Sequence, residues 1–180
     1  MNGMTAIAAD DLVSRVRAGD RSAFDELVGP LINQAFRLAF GMLHDREAAE
    51  DAVQEAAFLA WRKLGNLRPG SEMRPWFLAI VANQCRTMAR GRWWAVLRIE
   101  GRAWPASGFE DRIVRGADLR AALRKLAPEH REALVLRYFL DLPVEEVAAI
   151  AGVPTGTVKS RINRALAAMR PHFEPVEAHT

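Results

Sequence analysis

Apolar residues recur every three or four positions along almost the whole chain, and that spacing commits it to helices. The clearest run is Phe24, Leu27, Val28, Leu31, Ile32, Ala35, Phe36, Ala39 and Phe40. Nothing alternates apolar with polar as a half-buried strand does, and no Asn-Gly or Asp-Gly hairpin joins two such runs. The spacing predicts a first helix over about 10–18, stopped by Gly19, and a second that opens near Asp20 or Ser22 and passes Phe40. Pro30 should bend or split that second helix, because it lacks an N–H and crowds the preceding turn. A third helix is expected over about 45–64 and a loop over 65–74. A fourth should run from Pro75, which suits a first turn, to about Arg90. From about 91 to 116 the period fades among Gly91, Gly101, Pro105, Ser107, Gly108 and Gly116, which reads as a linker. Helical spacing returns over about 117–125 and 128–139, then in two shorter helices either side of Gly152-Val153-Pro154. The expected fold class is all-α: two small helical domains joined by a flexible linker, the C-terminal one a helix-turn-helix.

Half of the 180 residues are hydrophobic and 26% are charged, so packing rather than disorder is expected. The single cysteine, Cys85, excludes an intrachain disulfide framework and any multi-cysteine metal cluster. The longest useful apolar run, Trp76 to Ala82, falls far short of the roughly 20 residues a membrane helix needs, so no membrane insertion is expected. The N-terminus has neither the basic start nor the apolar stretch of an export signal, which fits a cytoplasmic location.

The net charge of +3 hides a segregation. Residues 1–60 carry 5 basic and 10 acidic side chains, 61–125 carry 14 and 5, and 126–180 carry 6 and 7. Within the last block, the stretch from Gly152 to Arg170 holds Lys159, Arg161, Arg164 and Arg170 with no acid. An acidic front, a basic middle and a basic terminal helix suggest different partners for different faces.

LPVEEVAAIAGVPTGTVKSRINRALAAMR has the layout of a helix-turn-helix. Val144, Val147, Ala148 and Ile150 give its first helix an apolar face, Glu145 and Glu146 suit the positive end of the helix dipole, and Gly152 can end the helix with φ > 0. In the second helix Val158, Ile162, Leu166 and Met169 should pack inward. Ser160, Asn163 and Arg164 fall opposite, with Lys159 and Arg161 on the flanks. A slim polar face edged by cations suits a major groove: Ser, Asn and Arg reach base edges while the cations reach phosphates.

The third and fourth helices offer two more faces. Val53, Ala57, Ala60 and Trp61 should line the inner side of the third. Asp51, Glu55, Phe58 and Arg62 point away, with Gln54 at the margin. Like charges at i and i+4 help no isolated helix, so Asp51 and Glu55 beside an exposed Phe58 suggest a protein-binding surface. The alternative is a solvated face with Phe58 covered by a neighbour. In the fourth helix Phe77, Ile80, Val81 and Met88 form one side and Asn83, Arg86 and Arg90 the other, followed by Arg92, Trp93 and Trp94. Cations beside planar rings are what a single nucleic-acid strand needs. Trp93 and Trp94 read equally well as stacking or as packing residues, and Trp76 reads as core.

With these residues in place the chain resembles the extracytoplasmic-function sigma factors of bacterial RNA polymerase, from about Asp20 to Arg170. AEDAVQEAAFLAW, from Ala49 to Trp61, is similar to the family's polymerase-binding helix, with Ala52 and Ala57 departing from its usual Leu and Phe. PWFLAIVANQCRTMAR is similar to the helix that melts the minus-ten element, although Ala79 stands where a basic residue is frequent. PTGTVKSRINRA resembles the helix that reads the minus-thirty-five element, and Pro143 replaces the usual Ser cap of the helix before it. The resemblance implies a region-two domain over 10–92, a linker over 93–116 and a region-four domain over 117–171. It implies core-polymerase contacts from Asp51, Gln54, Glu55 and Phe58. Minus-ten contacts would come from Asn83, Arg86, Arg90, Arg92 and Trp93, and minus-thirty-five contacts from Thr157, Lys159, Ser160, Arg161, Asn163 and Arg164. The implied partners are bacterial core RNA polymerase, promoter DNA and an anti-sigma factor. No catalysis, cofactor or metal is expected.

Two other classes compete. A stand-alone helix-turn-helix regulator explains the C-terminal third and leaves the third and fourth helices idle. A metal enzyme using His44, Asp45, Glu47, Glu50 and Asp51 would want a Glu-x-x-His pattern contributed twice, and the chain has the reverse order once.

Overall fold

The computed structural model describes residues 11–67, 71–98 and 122–170, with the backbone alone over 91–98. Helix α1 spans 11–17, α2 Arg21–Leu43 and α3 Arg46–Lys63, followed by a 3-10 turn over Leu64–Asn66. Helix α4 spans Met73–Arg98 and α5 residues 122–125. Helix α6, Pro128–Leu134, widens into a π-turn over Val135–Phe139, and α7 (Val144–Ala151) and α8 (Thr155–Met169) follow. No strand occurs among the described residues, as the all-α reading requires.

Side-chain caps set where the first helices begin. The Asp20 carboxylate accepts from the Ser22 and Ala23 amides at 2.9 and 3.3 Å, and Arg15 clamps its other oxygen at 2.7 Å. The Ser22 hydroxyl, which also donates to Asp20 at 2.7 Å, then Arg15 and the Ala23 amide, hold the Asp20 carboxyl down at about 2. Asp45 does the same for α3, accepting from Ala48 N–H at 3.0 Å. Gly19, at φ +93°, supplies the left-handed turn that ends α1.

Two predicted boundaries move. Of the bend or split expected at Pro30, the split does not occur: α2 runs unbroken through it. Gly29 and Pro30 lie on the exposed side, where water can take up the carbonyl that Pro30 leaves without its N–H partner. Helix α4 continues to Arg98 rather than stopping near Arg90. Gly91 is the sole breaker on the way, and a single Gly costs about 1 kcal/mol, which is too little to stop a long helix.

Helices α2, α3 and α4 pack closely because the residues between them are small. Ala49, Ala52, Ala56 and Ala60 of α3 and Ala35 and Ala39 of α2 are fully buried beside Phe77, Leu78, Val81, Ala82 and Cys85 of α4. Trp76 is partly buried against this core, as its place in an apolar run predicts. Helices α5 to α8 form the second unit around Leu136, Val147, Ile150, Val158 and Ala165. The two units touch: α4 packs on α7, the end of α2 packs on the π-turn, and the buried apolar residues form one continuous core. The predicted linker over 93–116 enters the described residues only as α4 backbone, and the rest of it lies outside them.

Candidate nucleic-acid interface

The Asp45 cap fixes the phase of α3. With its alanines turned inward, Asp51, Gln54, Glu55, Phe58 and Arg62 are all exposed. Phe58 stays 54% exposed, with the Arg62 guanidinium 5.7 Å from its ring centre, so no neighbour buries it in the core. Beside it an open, mostly apolar groove lies between α2 and α3, lined by Gly29, Ile32, Phe36, Val53, Gln54 and Ala57. Helical spacing put Ile32 on the apolar face of α2. The structure leaves it more than a third exposed, at the groove. A mostly apolar groove with Glu50 in its wall, on a helix that also exposes Asp51 and Glu55, can accept a helix of opposite charge.

The predicted basic stripe on α4 is only partly open. Asn83 and Arg90 are exposed, but Arg86 donates from Nη1 to Glu132 Oε1 of α6 at 2.6 Å. The Glu132 side chain is 2% exposed and that of Arg86 is 31% exposed. Burial pushes the Glu132 carboxyl up, opposed by Arg86 and more weakly by Arg161. Burial and the nearby Glu132 push the Cys85 thiol up to about 12, so it stays protonated and unreactive. Arg92 and Trp93 lie on the helical backbone of α4, and their side chains fall outside the described residues. Glu132 was not singled out in the sequence, where an acid in the middle of a short helix reads as an ordinary surface charge.

Helix α8 follows a turn built by Gly152 in the left-handed region at φ +68°. Lys159, Asn163 and Arg164 are exposed, and Thr157, Ser160 and Arg161 are half-buried. The Ser160 hydroxyl donates to Gly156 O at 2.8 Å, so its oxygen remains as an acceptor. Its first turn carries no side-chain cap and is free to meet a phosphate. One inward residue is corrected: Leu166 is 45% exposed, and Ala165 is fully buried in its place. The buried series 158, 162, 165 and 169 sets the helix's contact stripe, and 166 falls beyond its edge.

Of the candidate metal ligands, Asp45 caps α3, Glu50 pairs with Arg46 at 2.9 Å, and Asp51 is exposed. Among the described residues no three His, Cys, Asp or Glu side chains are grouped to hold a metal ion.

Comparison with known proteins matches both units. Residues 27–95 match Sigma-70 region 2 and residues 117–169 match Sigma-70, region 4. The chain is 33% identical to the RNA polymerase sigma-H factor of Pseudomonas aeruginosa, over 92% of this chain and 93% of that protein. It is 34% identical to the ECF RNA polymerase sigma factor SigE of Mycolicibacterium smegmatis, over 90% of this chain and 67% of that one. The chain belongs to the extracytoplasmic-function sigma factors. As a sigma factor it directs promoter-specific transcription initiation by bacterial RNA polymerase. Its fold is similar to that of CnrH in complex with the cytosolic domain of CnrY, at TM-score 0.70 and 26% identity over 91% of this chain and 96% of that one. It is also similar to the complex of the sigma factor RpoE with the anti-sigma factor NepR from Bartonella quintana, at TM-score 0.66 and 27% identity over 83% and 95%. Among the described residues of this sigma factor no helix is long and apolar enough to cross a membrane.

Proposed function

We propose that this sigma factor divides its work among three helical faces. Asp51, Gln54, Glu55 and Phe58 of α3, with the adjoining groove, hold core RNA polymerase. Asn83, Arg86, Arg90, Arg92 and Trp93 of α4 take the minus-ten element as a single strand. Thr157, Lys159, Ser160, Arg161, Asn163 and Arg164 of α8 take the minus-thirty-five element as a duplex. The corresponding units are 10–92 and 117–171, with 93–116 between them.

The chemistry is selective binding rather than catalysis by the chain itself. Bases can be gripped by α4 only when unpaired, so that grip shifts promoter DNA toward its open form. Duplex contacts by α8 position the complex without requiring melting. The factor would act in the cytoplasm with the polymerase, and an anti-sigma factor that covers these faces would silence it, as the NepR complex of the related RpoE suggests.

The observation that carries this reading is the exposed Phe58 beside Asp51, Gln54 and Glu55, next to an open groove. The test is reconstituted transcription with bacterial core polymerase on fragmented genomic DNA, with start sites sequenced. Discrete starts sharing a two-part upstream motif, lost on Asp51→Ala or Gln54→Ala, are expected. No initiation above core alone, while the protein still shifts specific duplexes, would leave an ordinary helix-turn-helix regulator.

A further inference from the structure

Exposure on α4 does not follow charge. At about 100° per residue, Asn83, Thr87 and Arg90 fall within about 60° of one another, on one stripe of the helix about 10 Å long. All three are exposed. Arg86 lies at the edge of that stripe and is turned to Glu132 of α6. The middle of the open face is therefore Thr87, which a search for cations passes over. It stands between an amide and a guanidinium.

Thr87 does not serve the core, and threonine is a poorer helix former than alanine. Its hydroxyl has one proton and two lone pairs. The proton is committed: Thr87 Oγ1 donates to Asn83 O, one turn back, at 3.0 Å. A carbonyl oxygen only accepts, so the direction of this bond is fixed. Toward solvent Thr87 presents lone pairs and a methyl group, with no polar hydrogen.

That polarity selects a ligand. A phosphate oxygen is itself an acceptor and meets no proton at Thr87. Adenine and cytosine carry an amino group, a donor, where guanine and thymine carry a carbonyl oxygen. In an unpaired base that group is free of its Watson–Crick partner. Arg90, three residues on, supplies the phosphate donors that Thr87 lacks. The same device stands on α8, where the Ser160 hydroxyl donates to Gly156 O at 2.8 Å and its oxygen is likewise left as an acceptor.

We propose that Thr87 is a specificity-determining residue for the minus-ten element: its hydroxyl oxygen accepts from the amino group of one unpaired adenine or cytosine and disfavours guanine and thymine there. The proposal rests on the reading of α4 as the strand-binding face. Arg90 holds the backbone, Asn83 and Thr87 meet base edges, and discrimination at that position comes from an oxygen rather than from charge.

The test uses the holoenzyme, reconstituted with bacterial core polymerase, on the promoter that start-site mapping defines. Its minus-ten element is randomised and the transcripts are sequenced. The parent is expected to favour adenine or cytosine over guanine or thymine several-fold at one non-template position. Thr87→Val keeps the shape, removes the oxygen and should lose that preference at that position alone. Thr87→Ser keeps the oxygen and should retain it. A premelted promoter carrying purine for adenine, or 2-pyrimidinone for cytosine, lacks only the amino group at that position. The parent should initiate several-fold less from it, and Thr87→Val should not distinguish it from the natural base. A uniform loss across all sequences in Thr87→Val overturns the base contact and marks a positioning role through Asn83. A minus-ten preference lost in Asn83→Ala and Arg90→Ala but unchanged in Thr87→Val overturns the assignment of Thr87 alone. A preference that survives all three substitutions overturns the reading of α4 and the assignment with it.

Discussion

The two helices assigned to DNA, α4 and α8, carry similar polar faces in very different surroundings. Helix α8 is packed on one side, and Lys159, Asn163 and Arg164 face water. Helix α4 is packed on two: α2 and α3 hold its apolar side, and α6 and α7 reach round to its arginines. A face with no competing acid is ready for a duplex as it stands. A face whose arginine is already paired binds only after an exchange. On the proposed assignment, the face for the duplex element is open and the face for the single strand is partly covered.

The largest expected effect is structural. Phe77→Ala empties a fully buried site on the doubly packed helix and should destabilise the protein by about 3–5 kcal/mol. Leu166→Ala, on the singly packed helix, should change stability by less than about 0.5 kcal/mol because that side chain is exposed. Chemical denaturation midpoints check both, and a large loss at Leu166 would restore the inward placement that helical spacing alone suggests.

Next comes binding. Arg164→Ala should weaken a minus-thirty-five duplex by about 1–3 kcal/mol if the guanidinium reads a base, with loss of discrimination at one position. If Arg164 instead meets a phosphate, the loss is uniform across sequences and the salt dependence becomes shallower. The same duplex should be indifferent to Arg86→Ala in the free chain.

The smallest effect concerns pH. Burial raises the Glu132 carboxyl, so its contribution to the folded, docked form is fully present below its unfolded value and is lost as pH rises through its folded value. Arg86 and more weakly Arg161 oppose that shift, the Cys85 thiol beside it is itself pushed up by burial, and Glu129 adds a repulsion that favours the neutral acid. The contact between the two units is therefore expected to loosen as pH rises from below the ordinary carboxyl range. Double electron–electron resonance between spin labels at Lys63→Cys and Ala168→Cys, on a Cys85→Ala background, should show it, and Glu132→Gln should abolish the pH dependence.

Much of this was legible in the sequence because helical spacing reports burial directly. The phase of α3 and the turn at Gly152 follow from local pattern and φ constraints, whereas the exposure of Phe58, which the spacing left open, depends on whether a neighbouring element reaches it. Leu166 was misplaced by one position because an inward stripe 100° wide admits either 165 or 166 at its edge, and packing against the neighbouring helices chooses between them. Of the bend or split expected at Pro30 the split does not occur, because the cost of its missing bond depends on whether that side of α2 meets water, which is a tertiary fact. The pairing of Arg86 with Glu132 spans 46 residues between two units, and no periodicity within either one announces it.

The contrast between α4 and α8 is tested most directly by arginine footprinting of the free chain with phenylglyoxal, read by mass spectrometry. Arg164 of α8 and Arg90 of α4 should be modified quickly and Arg86 several-fold more slowly, with Glu132→Ala, which removes its hydrogen-bond acceptor, speeding Arg86 while leaving the other two unchanged. Equal rates at Arg86 and Arg90 in the unsubstituted protein would contradict the account.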